Sequence, residues 1–392
     1  MASSILILDF IGVIFLAKAN KKFMVLSAIG IIMVVDSHTW GAFGLFSNYF
    51  PFNSFFMPMF VFISGYFNKV DKNTNLFKYT KRKFLTLLLP YLVVSVLALI
   101  IEWLILCLKT EAMQPFYLDY KLKALANVFT SGEISTIALP MWFAPMLFAV
   151  QIVYALMKKI LSDHWNSKVA LVPFIAFNIL VVWYAKSHEF SDYLLLPFKV
   201  LFFLPFMEMG VLYREEIEAK LQKANHLLLM SILLMINTIR IFFMPNEYDI
   251  AFDSLATLTG FTSPYAVTPL ISGVVGMLFW IELFELIGSP FYNSKVVNSI
   301  SENTFYIMSF HVIFFNLLNC VIFLINKFKS IPYFDVEAFQ DSNWYRWEYI
   351  SQFKYVYFLV GLLGPVALMK LYSRFIKKPV LNLIHKPKAD TK

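Results

Sequence analysis

The sequence predicts an all-α polytopic membrane bundle of about ten transmembrane helices, with both chain ends in the cytosol. Three observations predict it. Of the 392 residues, 59% are hydrophobic and only 15% charged, where a soluble domain carries about 25% charge, and the mean hydropathy is +0.67. Ten apolar runs bounded by charge fill the chain: 24–42, 54–68, 84–106, 140–157, 169–185, 194–212, 227–244, 264–287, 303–325 and 354–373. With the first end inside, 22 of the 33 Lys and Arg fall in cytosolic segments, 7 in outer ones and 4 within the runs. That is the asymmetry that orients membrane helices.

A helix needs roughly 20 apolar residues to cross the hydrocarbon core, and it satisfies its own backbone groups there. Ahead of the first run, residues 5–16 are apolar but interrupted by Asp9 and followed by Lys18, Lys21 and Lys22; the stretch is too short to span and reads as an interfacial helix. Residues 1–23 thus form an N-terminal cytosolic or interfacial segment, 24–375 one membrane domain, and 376–392 a basic cytosolic tail with Pro379 and Pro387. Lys69, Lys72, Lys78, Lys81, Arg82 and Lys83 crowd the connection after the second run, and the segment 213–225, YREEIEAKLQKAN, spaces its charges so as to prolong the sixth helix. Two longer outer loops follow from the topology, 107–139 and 326–353, the second holding Trp344, Tyr345 and Trp347 beside Asp335, Glu337, Asp341 and Glu348. Aromatic faces near carboxylates suit a sugar ring, whose C–H faces stack while its hydroxyls donate; the same aromatics also serve as an interfacial belt. The net charge of +8 follows topology, so no nucleic-acid partner is expected. Cys107 and Cys320 have no CxxC or Cys/His spacing, and no metal is expected.

His38 lies about 21 Å along the first run at 1.5 Å per residue, nearer the outer face. An ionisable side chain at that depth is expensive and marks a functional site; a neutral imidazole there can take a proton from a hydroxyl. Asp36, two residues earlier, points about 200° away on a continuous helix, so an orienting partner must come from another span. Glu102 is the candidate by depth. His311, eight residues into the ninth run, reads as nearer the cytosolic half. The basic connection can grip a phosphate-rich donor such as coenzyme A, or simply set topology. No GxSxG elbow and no P-loop appears among only 13 glycines, so an enzyme of this kind would bind an already activated donor.

Six motifs in order resemble acyltransferase family 3, whose members move acyl groups from cytosolic acyl-CoA to extracytoplasmic glycans. SAIGIIMVVDSH ends in His38; MFVFISGYF supplies Phe60, Phe62, Ser64, Gly65 and Tyr66; KRKFLTLLLPY holds Arg82 and Pro90. Trp142 and Phe143 open the fourth run, FLPFMEMGVLYRE contains Gly210, and SENTFYIMSFHV contains His311. Ser27 stands where the family has an Arg eleven residues before the histidine, and the second Arg of its Arg-x-x-Arg pair is Leu85 here or is replaced by the nearby Lys83.

The resemblance implies an O-acetyltransferase of the cell membrane, the bacterial plasma membrane, with acetyl-CoA as donor and a polysaccharide or lipid-linked sugar as acceptor. The expected catalytic set is His38, Asp36 and Glu102. The expected donor site is Arg82, Lys81, Lys83, Lys78 and Ser64, and Trp142, Trp344 and Trp347 are the expected acceptor contacts. A polytopic transporter or polymerase of lipid-linked glycans is the alternative.

Overall fold

The computed structural model describes residues 20–377 and 379, apart from residues 40, 45, 131–134, 162–163, 245–256, 260, 262 and 349–350. The expected interfacial helix at 5–16 and nearly all of the basic tail lie outside the described residues. The chain is all-helical, 77% helix without a strand among the described residues. In chain order the helices are α1 (Lys21–Ser37), α2 (Phe52–Tyr66), α3 (Leu76–Lys83), α4 (Leu89–Thr110), α5 (Leu118–Ala126), α6 (Phe143–Leu161), α7 (Ser167–Ala185) and α8 (Asp192–Leu212). They continue as α9 (Glu218–Leu221), α10 (His226–Phe243), α11 (Thr268–Ile287), α12 (Lys295–Glu302), α13 (Thr304–Phe328), α14 (Val336–Asp341) and α15 (Phe353–Tyr372).

Among the described residues, eight helices are long and apolar enough to cross a membrane: Leu76–Thr110, Thr136–Leu161, Ser167–Ala185, Tyr193–Leu221, His226–Phe243, Thr268–Ile287, Thr304–Phe328 and Phe353–Lys377. A π-helical turn, Phe84–Leu88, joins α3 to α4, and another, Tyr213–Ile217, joins α8 to α9. The basic connection after the second run is thereby the first turns of a membrane helix, and the segment 213–225 prolongs one as its charge spacing predicts, as far as Leu221.

The first two runs form shorter helices. At 17 and 15 residues, α1 and α2 rise about 25 and 22 Å, less than the roughly 30 Å hydrocarbon core. α1 stops early because of Asp36. Its carbonyl accepts the Thr39 and Gly41 N–H groups, both at 3.0 Å, and its carboxylate accepts those of Phe43 (2.9 Å) and Gly44 (3.2 Å). Gly41 and Gly44 take left-handed φ of +66° and +69°, a region glycine enters without strain. The helix therefore ends beside His38 rather than at residue 42.

Both short helices are enclosed by protein, so neither has to match lipid thickness. Burial sorts the others: 72% of the apolar window of α13 is buried, against 11% for α10 and 28% for α7. α1, α2, α6, α8, α11 and α13 form the interior, and α4, α7, α10 and α15 its lipid-facing wall.

At the end where α1 begins, here the basal end, Lys22 Nζ meets Glu285 Oε1 at 2.7 Å, Glu218 Oε1 at 2.9 Å and the Tyr213 hydroxyl at 3.3 Å. Tyr66 donates to Glu218 Oε2 at 2.6 Å, and Arg214 donates to the Tyr66 carbonyl at 2.7 Å and to that of Asn68. One lysine thus ties α1, α9 and α11, with α2 joined through Tyr66. His226, unremarkable in the sequence, pairs with the buried Glu282 at 2.7 Å. Glu218 and Glu285 are held in ion pairs with Lys22.

The tightest crossing is between α2 and α8. A Cβ added at Gly65 would lie 2.0 Å from the Met207 carbonyl oxygen, and one at Gly210 would lie 2.1 Å from that of Phe62. Small residues let membrane helices approach backbone to backbone. Gly210→Ala is expected to lower the melting temperature in detergent and the folded yield, because forced overpacking costs about 1–3 kcal/mol or more. Fluorescence-detected size exclusion after heating, with Ser231→Ala on lipid-facing α10 as reference, checks it; equal melting of the two variants would remove the crossing from the stability argument.

Candidate functional site

His38 caps the C-terminus of α1, so its ring leaves the helix end rather than a helix flank. Its Nδ1 lies 2.8 Å from Nε2 of His311, with the rings nearly parallel at 13° and centroids 5.0 Å apart. The His311 Nδ1 is in turn 2.8 Å from the Ile307 carbonyl oxygen.

This chain fixes the tautomers. A carbonyl only accepts, so His311 Nδ1 carries hydrogen and donates. A neutral His311 then offers its Nε2 lone pair, which His38 can fill only by donating from Nδ1. His38 is left with a lone pair on Nε2, the atom a general base needs. His311 does for His38 what a carboxylate does in a triad, without a second charge.

The two rings meet because their helical paths start level. At the basal end Lys21 Nζ contacts Asn293 Oδ1 at 2.9 Å. His38 lies 17 residues beyond the one and His311 18 beyond the other. α12, packed along α1, supplies the first turns of the second path, so counting depth from residue 303 places His311 too near the basal end.

Above the histidines the loop after α14 closes the distal end. Trp344 places its ring 5.4 Å from His38 at 58°. Two asparagines of α13 hold that loop: Asn316 donates to the Asn343 carbonyl and Asn319 to that of Tyr345, both at 2.8 Å. Tyr357 of α15 donates to Asn319 Oδ1 and accepts from the Trp347 N–H at 2.9 Å.

Glu102 does not orient His38. Its carboxylate accepts from Thr136 (2.6 Å), Ser135 (3.1 Å) and Asn343 Nδ2 (3.2 Å), with Lys121 Nζ at 3.7 Å. Lys109 Nζ donates to Asn343 Oδ1 and the Ser342 carbonyl, each at 3.0 Å. Glu102 thus holds Asn343, the residue before Trp344. Asp36 likewise is a positioning residue, since both of its oxygens are taken by the turn that follows His38.

Trp347 packs at 4.6 Å on Phe353 and donates from Nε1 to the Pro332 carbonyl at 2.9 Å. It lines a distal cavity of about 290 Å³ together with Thr39, Arg346, Lys354 and Tyr357. Arg346 is buried, its guanidinium 4.3 Å from the Phe315 ring centroid; burial pulls its pKa down to about 10. Trp142 stands apart. Its ring is buried, with Lys199 Nζ 4.7 Å over it and Phe203 at 6.3 Å, so the ring face is occupied by protein.

At the basal end, Lys78, Lys81 and Arg82 are exposed on α3 and Lys83 is half-buried. Arg82 and Lys83 lie 5.9 and 5.4 Å from the Tyr79 ring centroid. Tyr79 accepts from Asn68 (3.2 Å) and donates to Gln151 Oε1 (3.4 Å), while Gln151 Nε2 donates to Ser64 Oγ at 2.6 Å. Ser64 and two of the cations therefore belong to one basal cluster, on the opposite end of α1 from His38. Ser27, at the family's arginine position, is buried and donates to its own helix at the Phe23 carbonyl, 2.8 Å away.

The sequence does not single out Asn316, Asn319 or Arg346. The first two carry a legible signal, amides in the same apolar helix as His311, five and eight residues beyond it.

No curated protein and no solved structure matches the chain. The family model of an acyltransferase domain, acyltransferase family 3, matches residues 23–334. That stretch contains the histidine pair, the basal cluster and the α2–α8 crossing. This multi-pass membrane protein belongs to acyltransferase family 3.

Proposed function

We propose that the chain is a plasma-membrane O-acetyltransferase, bacterial in setting, that moves acetyl from cytosolic acetyl-CoA to a hydroxyl of an extracytoplasmic or lipid-linked polysaccharide. The observation that carries this reading is the free Nε2 of His38, fixed by the hydrogen-bond chain to Ile307 and sited beside a distal cavity. The basal end, with Arg82, Lys83, Lys81 and Lys78, is the cytosolic face in this reading.

The donor's phosphates sit on the α3 cations, Arg82 offering two parallel donors where the lysines offer point charges, and the pantetheine arm runs past Ser64 into the bundle. The acceptor enters from the distal side. His38 Nε2 takes the hydroxyl proton as the oxygen attacks the thioester carbonyl carbon. The tetrahedral adduct collapses, the C–S bond breaks, and the proton on Nε2 passes to the leaving thiolate. Ester and free coenzyme A result, with His38 restored. During the step His38 gains a proton while its Nδ1–H still points at His311, so the ring does not reorient. A direct transfer of this kind needs no acyl-enzyme, although a relay would use the same base.

A carrier of lipid-linked glycans would also need a distal cavity, but it gives no role to a tautomer-locked imidazole and sits poorly with the family.

With purified protein, labelled acetyl-CoA and a glycan acceptor, His38→Ala is expected to lower transfer by at least about 100-fold, the lower range for a general base; equal rates in mutant and wild type would remove the mechanism. His311→Gln retains an acceptor opposite His38 Nδ1 and is expected to keep more activity than His311→Ala, and no difference between the two would break the tautomer argument. Arg82→Ala with Lys83→Ala is expected to raise the KM for acetyl-CoA about tenfold with kcat little changed. Acetyl-CoA at 100 times its dissociation constant is expected to stabilise the wild type by about 2.7 kcal/mol, read as a rise in melting temperature; a flat response at millimolar donor points to the carrier.

A further inference from the structure

The distal cavity contains cations for which the acetyl-transfer step has no use. Arg346 is 6% exposed. Its NH1 donates to the Tyr345 carbonyl at 2.9 Å, while its buried Nε has no partner among the described residues. Its guanidinium is stacked on Phe315, with Trp344 at 5.6 Å and Tyr357 at 5.7 Å, and it has no ion-pair partner among the described residues. Among the described residues Lys354, half-buried on the same wall, donates only to the Gly41 carbonyl at 3.3 Å. A buried cation without a counter-ion is a strongly destabilising arrangement, and it persists where a ligand supplies the missing charge. Arg346 lines the cavity, and a guanidinium suits a planar or tetrahedral oxyanion.

We infer that this cavity is an anion subsite, and that the acceptor is an acidic glycan whose carboxylate or phosphate docks on Arg346 and Lys354. This deepens the transferase reading and rests on it for the word acceptor. Thr39 lines the same cavity and directly follows His38, so a sugar held by its oxyanion brings a neighbouring hydroxyl toward the base. Trp344 spans the interval, in ring contact with His38 and within cation–π distance of Arg346. Glu348 on the cavity wall sets the polarity of the rim: a hydroxyl can donate to it, whereas a second acidic group placed there is repelled.

The test is binding, so it does not require turnover. Purified full-length protein is titrated at fixed ionic strength with a uronic-acid oligosaccharide and with the same oligosaccharide after carboxyl reduction, using calorimetry. Wild type is expected to bind the acidic form at least tenfold more tightly, and Arg346→Gln to bring that ratio close to one. Lys354→Gln, on a less buried residue, is expected to lower the ratio severalfold and serves if the arginine variant does not fold. Equal binding of the two oligosaccharides by wild type overturns the proposal.

Transfer is then assayed on the same pair. Acetylation of both oligosaccharides at equal rates and equal affinity leaves the transferase standing and removes the anion subsite. A tenfold binding preference without transfer leaves the subsite standing and removes the transferase. If Arg346→Gln instead changes the preference for a succinyl over an acetyl donor, with the acidic acceptor bound as before, the charge belongs to the acyl group and the inference about the acceptor falls.

Discussion

A hydrogen bond between two neutral imidazoles organises the centre of this molecule. A histidine base inside a bilayer faces two problems: its charged form is poorly solvated, and its ring has two nitrogens of which only one can serve. A carboxylate partner would solve the second while adding a buried charge. The His311–Ile307 contact solves it with a backbone carbonyl, passing a fixed proton direction through one neutral ring to the next. The arrangement works only while both helices stay in register, which is why the basal contacts matter. Lys21 sets α1 against Asn293, and Lys22 ties α1 to α9 and α11 through two carboxylates. A slip of one residue along either path, about 1.5 Å, would be enough to break a 2.8 Å contact.

The distal loop is coupled to the same helix that carries His311. Asn316 and Asn319 spend their amides on loop carbonyls, so the position of Trp344 over His38 is set from α13 and not by the loop's own conformation. Glu102, Thr136 and Lys109 grip the loop from the other side through Asn343. A polar cluster on α4 and the imidazole of His38 on α1 are thereby connected without touching.

Hydropathy makes the helices legible because bilayer crossing is written in long windows, and eight of the ten runs correspond to helices of crossing length. The end of α1 is not legible in the same way. It depends on four backbone N–H hydrogen bonds to Asp36, which outweigh the remaining five residues of the run. The depth of His311 is hidden for a related reason: the path to it begins in α12, whose amphipathic sequence, KVVNSISE, does not read as part of a span. Arg346 sits in a loop that composition marks as a solvent-facing aromatic belt, and only the folded arrangement shows rings stacked around its guanidinium. Trp142 shows the converse, an aromatic that looks available until Lys199 is placed over it.

The shortness of α1 is itself part of the site. An imidazole in the middle of a full-length span would be flanked by helix backbone above and below. Ending the helix at Ser37 puts the imidazole at a helix terminus, where the chain turns aside on Asp36 and opens the space that Thr39 lines. The distal cavity beyond that terminus follows from one carboxylate that stops a helix five residues before its apolar run ends.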